Sequence, residues 1–174
     1  MAILVFEGSN KVGKTTLINA IQKHCEEHEI PCCLLNERVA KNAEIAVTPE
    51  CMFDTACEHF SKMLIEEKAG NLVLVERFHL TELVYGKIYR GYTNYGMLDI
   101  DTLLSAAKVK LIAVTSAYKH ITEPFENWKL NKLQDEMVMA FGSTDLNKLR
   151  IHFVNADKNE LSKAVTAVLK FAGV

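Results

Sequence analysis

Short runs of consecutive apolar residues alternate along the chain with longer stretches in which apolar positions recur every three or four residues. The runs are AILVF from Ala2, CCLL from Cys32, LVLV from Leu72, VKLIAVT from Val109 and RIHFVN from Arg150. Between them Leu17, Ile21 and Cys25 keep helical spacing, as do Phe53, Ala56, Cys57, Phe60, Met63 and Leu64, and then Leu80, Leu83, Val84 and Ile88. Leu161, Ala164, Val165, Val168 and Leu169 repeat the pattern near the C-terminus. A strand that is apolar without alternation is buried on both faces, and a helix that covers it presents one apolar stripe. The pattern predicts an α/β fold, an open parallel sheet with helices on both faces and right-handed crossovers. In such sheets ligands bind beyond the C-terminal strand edge, so function is expected just after strands one to four.

Composition narrows this picture. With 174 residues, 49% of them hydrophobic, the chain is the size of one core, and no linker or repeat divides it, so residues 1–174 read as a single domain. The loosest stretches, Val39–Glu50 and Thr115–Glu126, both follow predicted strands, and a candidate lid spans about 115–132. A net charge of -2 and a pI near 6.3 carry no footprint for a nucleic-acid polymer or an anionic membrane. No apolar run reaches the ~18 to 20 residues of a membrane span, so the expected location is the cytoplasm. Five cysteines, one pair adjacent and none in C-x-x-C, read as thiols, not as disulfides or zinc ligands. The six histidines read as surface or boundary residues.

The candidate chemistry begins at Gly8. GSNKVGKT matches G-x-x-x-x-G-K-[ST], in which backbone N–H groups converge on phosphate oxygens, the lysine reaches the β/γ-phosphates and the hydroxyl takes Mg²⁺. It follows an apolar strand and opens a helix, which places phosphates at a helix N-terminus. The expected ATP·Mg²⁺ cradle is therefore Gly8, Ser9, Asn10, Lys11, Val12, Gly13, Lys14, Thr15 and Thr16.

Arginine is scarce, four against sixteen lysines, and Arg38, Arg77 and Arg90 fall after strand two, after strand three and at the end of the following helix. Arginine grips phosphate bidentately, so this placement suggests a second phosphate beside the cradle. LVLVER ends a buried strand in an acidic residue, where a carboxylate holds Mg²⁺ or its waters, and so Glu76 joins Thr15 on the metal side.

On these segments the chain resembles a family. FEGSNKVGKTTL is similar to the start of thymidylate kinases and, less closely, deoxynucleoside kinases; ERFHLTELVYG resembles their acidic-Arg-aromatic motif, and LLNERVAKNAEI the segment after their second strand. The resemblance covers the first half of the chain well and the second half weakly. It implies a P-loop fold of the nucleoside monophosphate kinase type, a three-layer, doubly wound, five-stranded parallel sheet. It further implies that Arg38 and Arg77 hold the acceptor phosphate, that Phe53 stacks on the acceptor base, and that Glu7, Glu37 and Glu76 fill the family's acidic positions. Phe78 and Tyr85 fall in the aromatic motif and count as substrate-side candidates. Lys11 stands where eukaryotic-type members carry an arginine that acts on the transferring phosphoryl, and the lid candidate, like theirs, has no Arg.

Two positions depart from the family. Asn10 stands where thymidylate kinases usually have Asp, and Cys57 stands where their Phe-x-x-x-Arg places the arginine that reads thymine. The expected activity is transfer of the ATP γ-phosphoryl to a (deoxy)nucleoside monophosphate, with dTMP favoured and Lys14, Lys11, Arg77 and Glu76 as the catalytic set. Two alternatives stay open: a deoxynucleoside kinase acting on a 5′-hydroxyl, towards which Glu rather than Asp before Arg77 leans, and a nucleotide-binding module without turnover. A homodimer is a candidate assembly, and the sequence does not decide the oligomeric state.

Overall fold

The computed structural model describes residues 1–36, 48–117, 124–155 and 157–174, the side chains of 124–130 excepted. Among these residues five strands alternate with helices: β1 (Ile3–Glu7), α1 (Lys14–Glu27), β2 (Cys32–Asn36), α2 (Pro49–Lys68), β3 (Leu72–Glu76) and α3 (His79–Tyr85). A π-helical turn, Gly86–Arg90, prolongs α3, and α4 (Gly96–Ala106), β4 (Lys110–Ser116), α5 (Pro124–Ser143), β5 (Asn147–Phe153) and α6 (Lys158–Ala172) complete the order. All strand pairs are parallel and the sheet order is β2-β3-β1-β4-β5. The strand order reverses at β1, with β2 and β3 on one side of it and β4 and β5 on the other, which opens a crevice at its C-terminal end.

Alternating side chains of the central strands feed two cores. Ile3 and Val5 of β1 pack with residues of α2 to α5, whereas Leu4 and Phe6 pack with α1 and α6. That is the physical reason the strands read as unbroken apolar runs. No helix among the described residues is long and apolar enough to cross a membrane.

Three features differ from the sequence reading. Helix α4 was not expected, yet Met97, Ile100 and Leu104 are its buried residues at helical spacing. The later part of the candidate lid, from Pro124, is helix α5, whereas 118–123 lie outside the described residues. His79, expected at the surface, is fully buried: its Nε2 lies 2.7 Å from Asp101 Oδ1, to which the Thr144 hydroxyl also donates at 2.6 Å. Burial pushes the Asp101 carboxyl up, but the bonds from His79 and Thr144 outweigh it and hold the group below its ordinary value. This buried cluster joins the start of α3 to α4 and to the residue after α5, and so fixes the base from which the Arg77 turn projects.

Candidate functional site

The loop after β1 makes the site. Its first residue, Gly8, has φ +154°, and a Cβ there would stand 2.2 Å from the Val114 carbonyl oxygen of β4, so no side chain fits this close approach. Lys11 has φ +62°, a left-handed conformation uncommon for a residue with a Cβ, and Arg77 at the end of β3 has φ +66°. Two strained, cationic residues on adjacent turns are what a preorganised anion site looks like. A cavity of about 240 Å³ is lined by Lys11, Val12, Gly13, Lys14, Thr15, Thr16, Glu76 and Arg77.

Lys14 opens α1 and is 4% exposed, and its Nζ donates to the carbonyl oxygens of Gly8 (2.9 Å) and Ser9 (2.6 Å). Burial, reinforced by the neighbouring Arg77 guanidinium and opposed by Glu7 and Glu76, pulls its ammonium from 10.5 down to about 8. A phosphate at this position favours the charged form, so binding of a nucleotide's phosphates here is expected to take up a proton as pH rises through 8. We expect ATP affinity to fall between pH 7.5 and 9, with a binding enthalpy that depends on the buffer's ionisation heat; calorimetry in two buffers checks it.

The Thr15 hydroxyl donates to Glu76 Oε1 at 2.5 Å. A hydroxyl and a carboxylate are the hard oxygen donors that Mg²⁺ accepts, and Mg²⁺ needs only one or two protein ligands when phosphates and water supply the rest. The pair therefore fits the ion that the fold implies.

Arg77 donates through Nη2 to Asn10 Oδ1, and its guanidinium lies 5.5 Å from the centroid of the Tyr85 ring. Tyr85 in turn sits 5.4 Å from Tyr89, centroid to centroid. Asn10, Arg77 and Tyr85 thus form one wall beside the cradle. Phe53, half-buried on α2, lies against Gly96, where a Cβ would come within 2.7 Å of its ring. Glycine at the start of α4 is the space in which that ring sits. Phe78 is 1% exposed and belongs to the core, away from any surface a substrate could touch.

Glu7, expected on the substrate side, is fully buried and engaged elsewhere. Its Oε1 accepts from the backbone N–H groups of Phe78 (2.9 Å), Leu80 (3.0 Å) and Thr81 (3.2 Å), and its Oε2 accepts from the Thr81 hydroxyl. A carboxylate from β1 thereby caps α3, whose own N-cap, Phe78, makes no side-chain cap bond. The bond to Phe78 also fixes the turn that carries Arg77. Glu7→Gln keeps one oxygen for the three backbone N–H groups but removes the charge they bind and turns an amide donor towards the Thr81 hydroxyl, which should cost about 2 to 3 kcal/mol. A Tm lower by roughly 5 to 10 °C in thermal unfolding is the expected reading.

Glu37 and Arg38 lie outside the described residues. The structure adds a second, apolar cavity of about 100 Å³ beside the first, lined by Gly13, Thr16, Phe153 and Leu161. It lies against the end of β5, outside the edge of strands one to four where ligands are expected from the sequence; Phe153, an aromatic at the C-terminal end of the fifth run, is the sequence signal for it.

Comparison with known proteins was consistent with this architecture. No family model matches the chain, and no curated protein matches it by sequence. Among solved structures, a thymidylate kinase from Ehrlichia chaffeensis superposes with a TM-score of 0.67 at 13% identity, over 98% of this chain and 97% of that one. The YorR protein from Bacillus subtilis, in complex with phosphorylated GDP, superposes with a TM-score of 0.65 at 16% identity, over 98% of this chain and 95% of that one. At such identities the likeness shows the fold: the chain has the parallel P-loop fold of the thymidylate kinase-like nucleoside monophosphate kinases.

Proposed function

We propose that the chain is a nucleotide kinase that moves the γ-phosphoryl of ATP onto the 5′-phosphate of a nucleoside monophosphate, with dTMP the leading acceptor. The observation that supports this most is the presence of Arg77 in the same cavity as Lys11, Lys14, Thr15 and Glu76. A triphosphate engages the loop and Lys14 alone, and an additional guanidinium at the cavity's edge suits a second phosphate.

In this reading the α1 N-terminus and loop amides take the donor phosphates, and Lys14 exchanges its two carbonyl partners for phosphate oxygens. Thr15 and Glu76 would hold Mg²⁺, which supplies neutralisation of charge on the phosphates when bound. Arg77 holds the acceptor phosphate in line, so that one of its oxygens bonds to Pγ while the bond from Pγ to the ADP oxygen breaks. Lys11 bears on the charge spread over the moving phosphoryl. The Phe153 and Leu161 pocket offers the donor base an apolar seat, and Phe53 offers the acceptor base a face. Arg38, and closure of the segment about 115–132 over the reactants, belong to the same proposal.

Coupled ADP release with dTMP, dUMP, dCMP and the matching nucleosides tests it. Turnover of monophosphates supports the reading. Turnover of nucleosides alone identifies a hydroxyl kinase instead, and tight ATP binding without any transfer identifies a binding module.

A further inference from the structure

One charged cluster on α3 has no part in the phosphate chemistry. Glu82 is 4% exposed, and its Oε2 accepts from Arg90 Nη1 at 2.5 Å while its Oε1 accepts from the Tyr92 hydroxyl at 2.8 Å. Arg90 Nη1 also donates to the Tyr92 oxygen at 3.1 Å. A carboxylate this deeply buried needs its partners, and here it fixes one edge of a guanidinium whose side chain is still 31% exposed. Both bonds use Nη1. The N–H groups of Nε and Nη2, a flat two-donor fork, make no hydrogen bond among the described residues.

Four contacts tie the segment that carries this fork to the elements around it. Tyr92 covers Gly86, where a Cβ would stand 3.0 Å from its ring, and Gly86 follows Tyr85, the ring beneath the Arg77 guanidinium. Two residues beyond Tyr92, Asn94 donates to the Pro49 carbonyl at 2.9 Å and ties the segment to the start of α2. Two residues further, Gly96 meets Phe53. The cluster is thus built into the strip that joins the Arg77 end of the wall to the Phe53 face.

We infer that Arg90 is a specificity-determining residue that donates from Nε and Nη2 to a keto oxygen on the acceptor base, with Glu82 and Tyr92 holding the fork in place. The inference rests on the proposed acceptor site. A donor-only fork matches edges that only accept: O6 with N7 of guanine takes two bonds, O4 of thymine or uracil takes one. The exocyclic amino groups of cytosine and adenine turn donors towards donors. Cys57, at the position where the resembled family reads the base with arginine, offers no such group.

Binding, measured by calorimetry with dTMP, dGMP, dCMP, dAMP and the four nucleosides, tests this without requiring turnover. In the wild-type chain the keto-edge ligands should bind about 10- to 100-fold tighter than the amino-edge ligands. Arg90→Gln should bring that ratio close to one with ATP affinity unchanged. Arg90→Lys keeps a cation for Glu82 and should stay folded, and its ratio should fall to an intermediate value because the fork is lost. A wild-type chain with no keto preference, or a preference undiminished in folded Arg90→Lys, overturns the inference. An Arg90-dependent preference without phosphoryl transfer would sink the kinase reading alone, and transfer to every monophosphate alike would sink only the assignment of Arg90.

Discussion

Lys14→Met is expected to lower kcat/KM for phosphoryl transfer by at least 10³-fold while leaving Tm unchanged or higher. Loss of the cation proposed to meet the β/γ-phosphates would remove roughly 4 kcal/mol of transition-state stabilisation at that ratio. Stability moves the other way for an electrostatic reason. Burial and Arg77 hold the Lys14 ammonium at about 8 against 10.5, so below pH 8 the folded chain carries a charge at a cost of roughly 3 kcal/mol. That cost is full at pH 7 and is relieved as pH rises from 8 to 10.5, where the unfolded chain binds the extra proton. Methionine fills similar volume without the charge, and what it forgoes is two bonds to the Gly8 and Ser9 carbonyls. Steady-state kinetics with a thermal unfolding scan separates the two effects; a large fall in both would mean that Lys14 is a structural staple first.

Arg77→Gly should raise the acceptor KM by 10- to 100-fold, the range of one charged hydrogen-bonding group, with ATP affinity kept within about twofold at pH 7. Glycine suits this position because the backbone there has φ +66°, so the turn survives and the loss reports the guanidinium. A second consequence follows from charge. Arg77 is the main neighbouring cation that lowers the Lys14 pKa, so its removal should move the break in ATP affinity to a pH above 8. An acceptor KM that is unchanged in Arg77→Gly would take the residue out of the acceptor site.

Much of this was legible in the linear sequence. Each of the five apolar runs overlaps a strand, and β1, β3 and β4, buried over most of their length, need no partner to be recognised. The fifth begins at Asn147 and not at Arg150; as an edge strand it is half exposed, and its first residues alternate with polar ones. The cradle residues are likewise local, since one loop and one helix start supply them all. Glu7 shows where the reading stops. Its acidic position was recognised, but its bonds reach residues 71 to 74 positions away, and only the β1-β3 pairing makes them neighbours. The same holds for His79 and Asp101, 22 positions apart on two helices, one of which the pattern did not reveal. Arg90 could be placed at a helix end from sequence, whereas its bond to a buried carboxylate eight positions earlier depends on the π-helical turn.

In the proposed reaction a phosphate, and not a hydroxyl, receives the phosphoryl group. Phosphorus NMR of the chain incubated with ATP, Mg²⁺ and an equimolar mixture of dTMP and thymidine tests it most directly. Resonances of dTDP should grow in step with those of ADP while total thymidine phosphates stay constant; growth of the dTMP resonance without dTDP would mean that the hydroxyl is the acceptor.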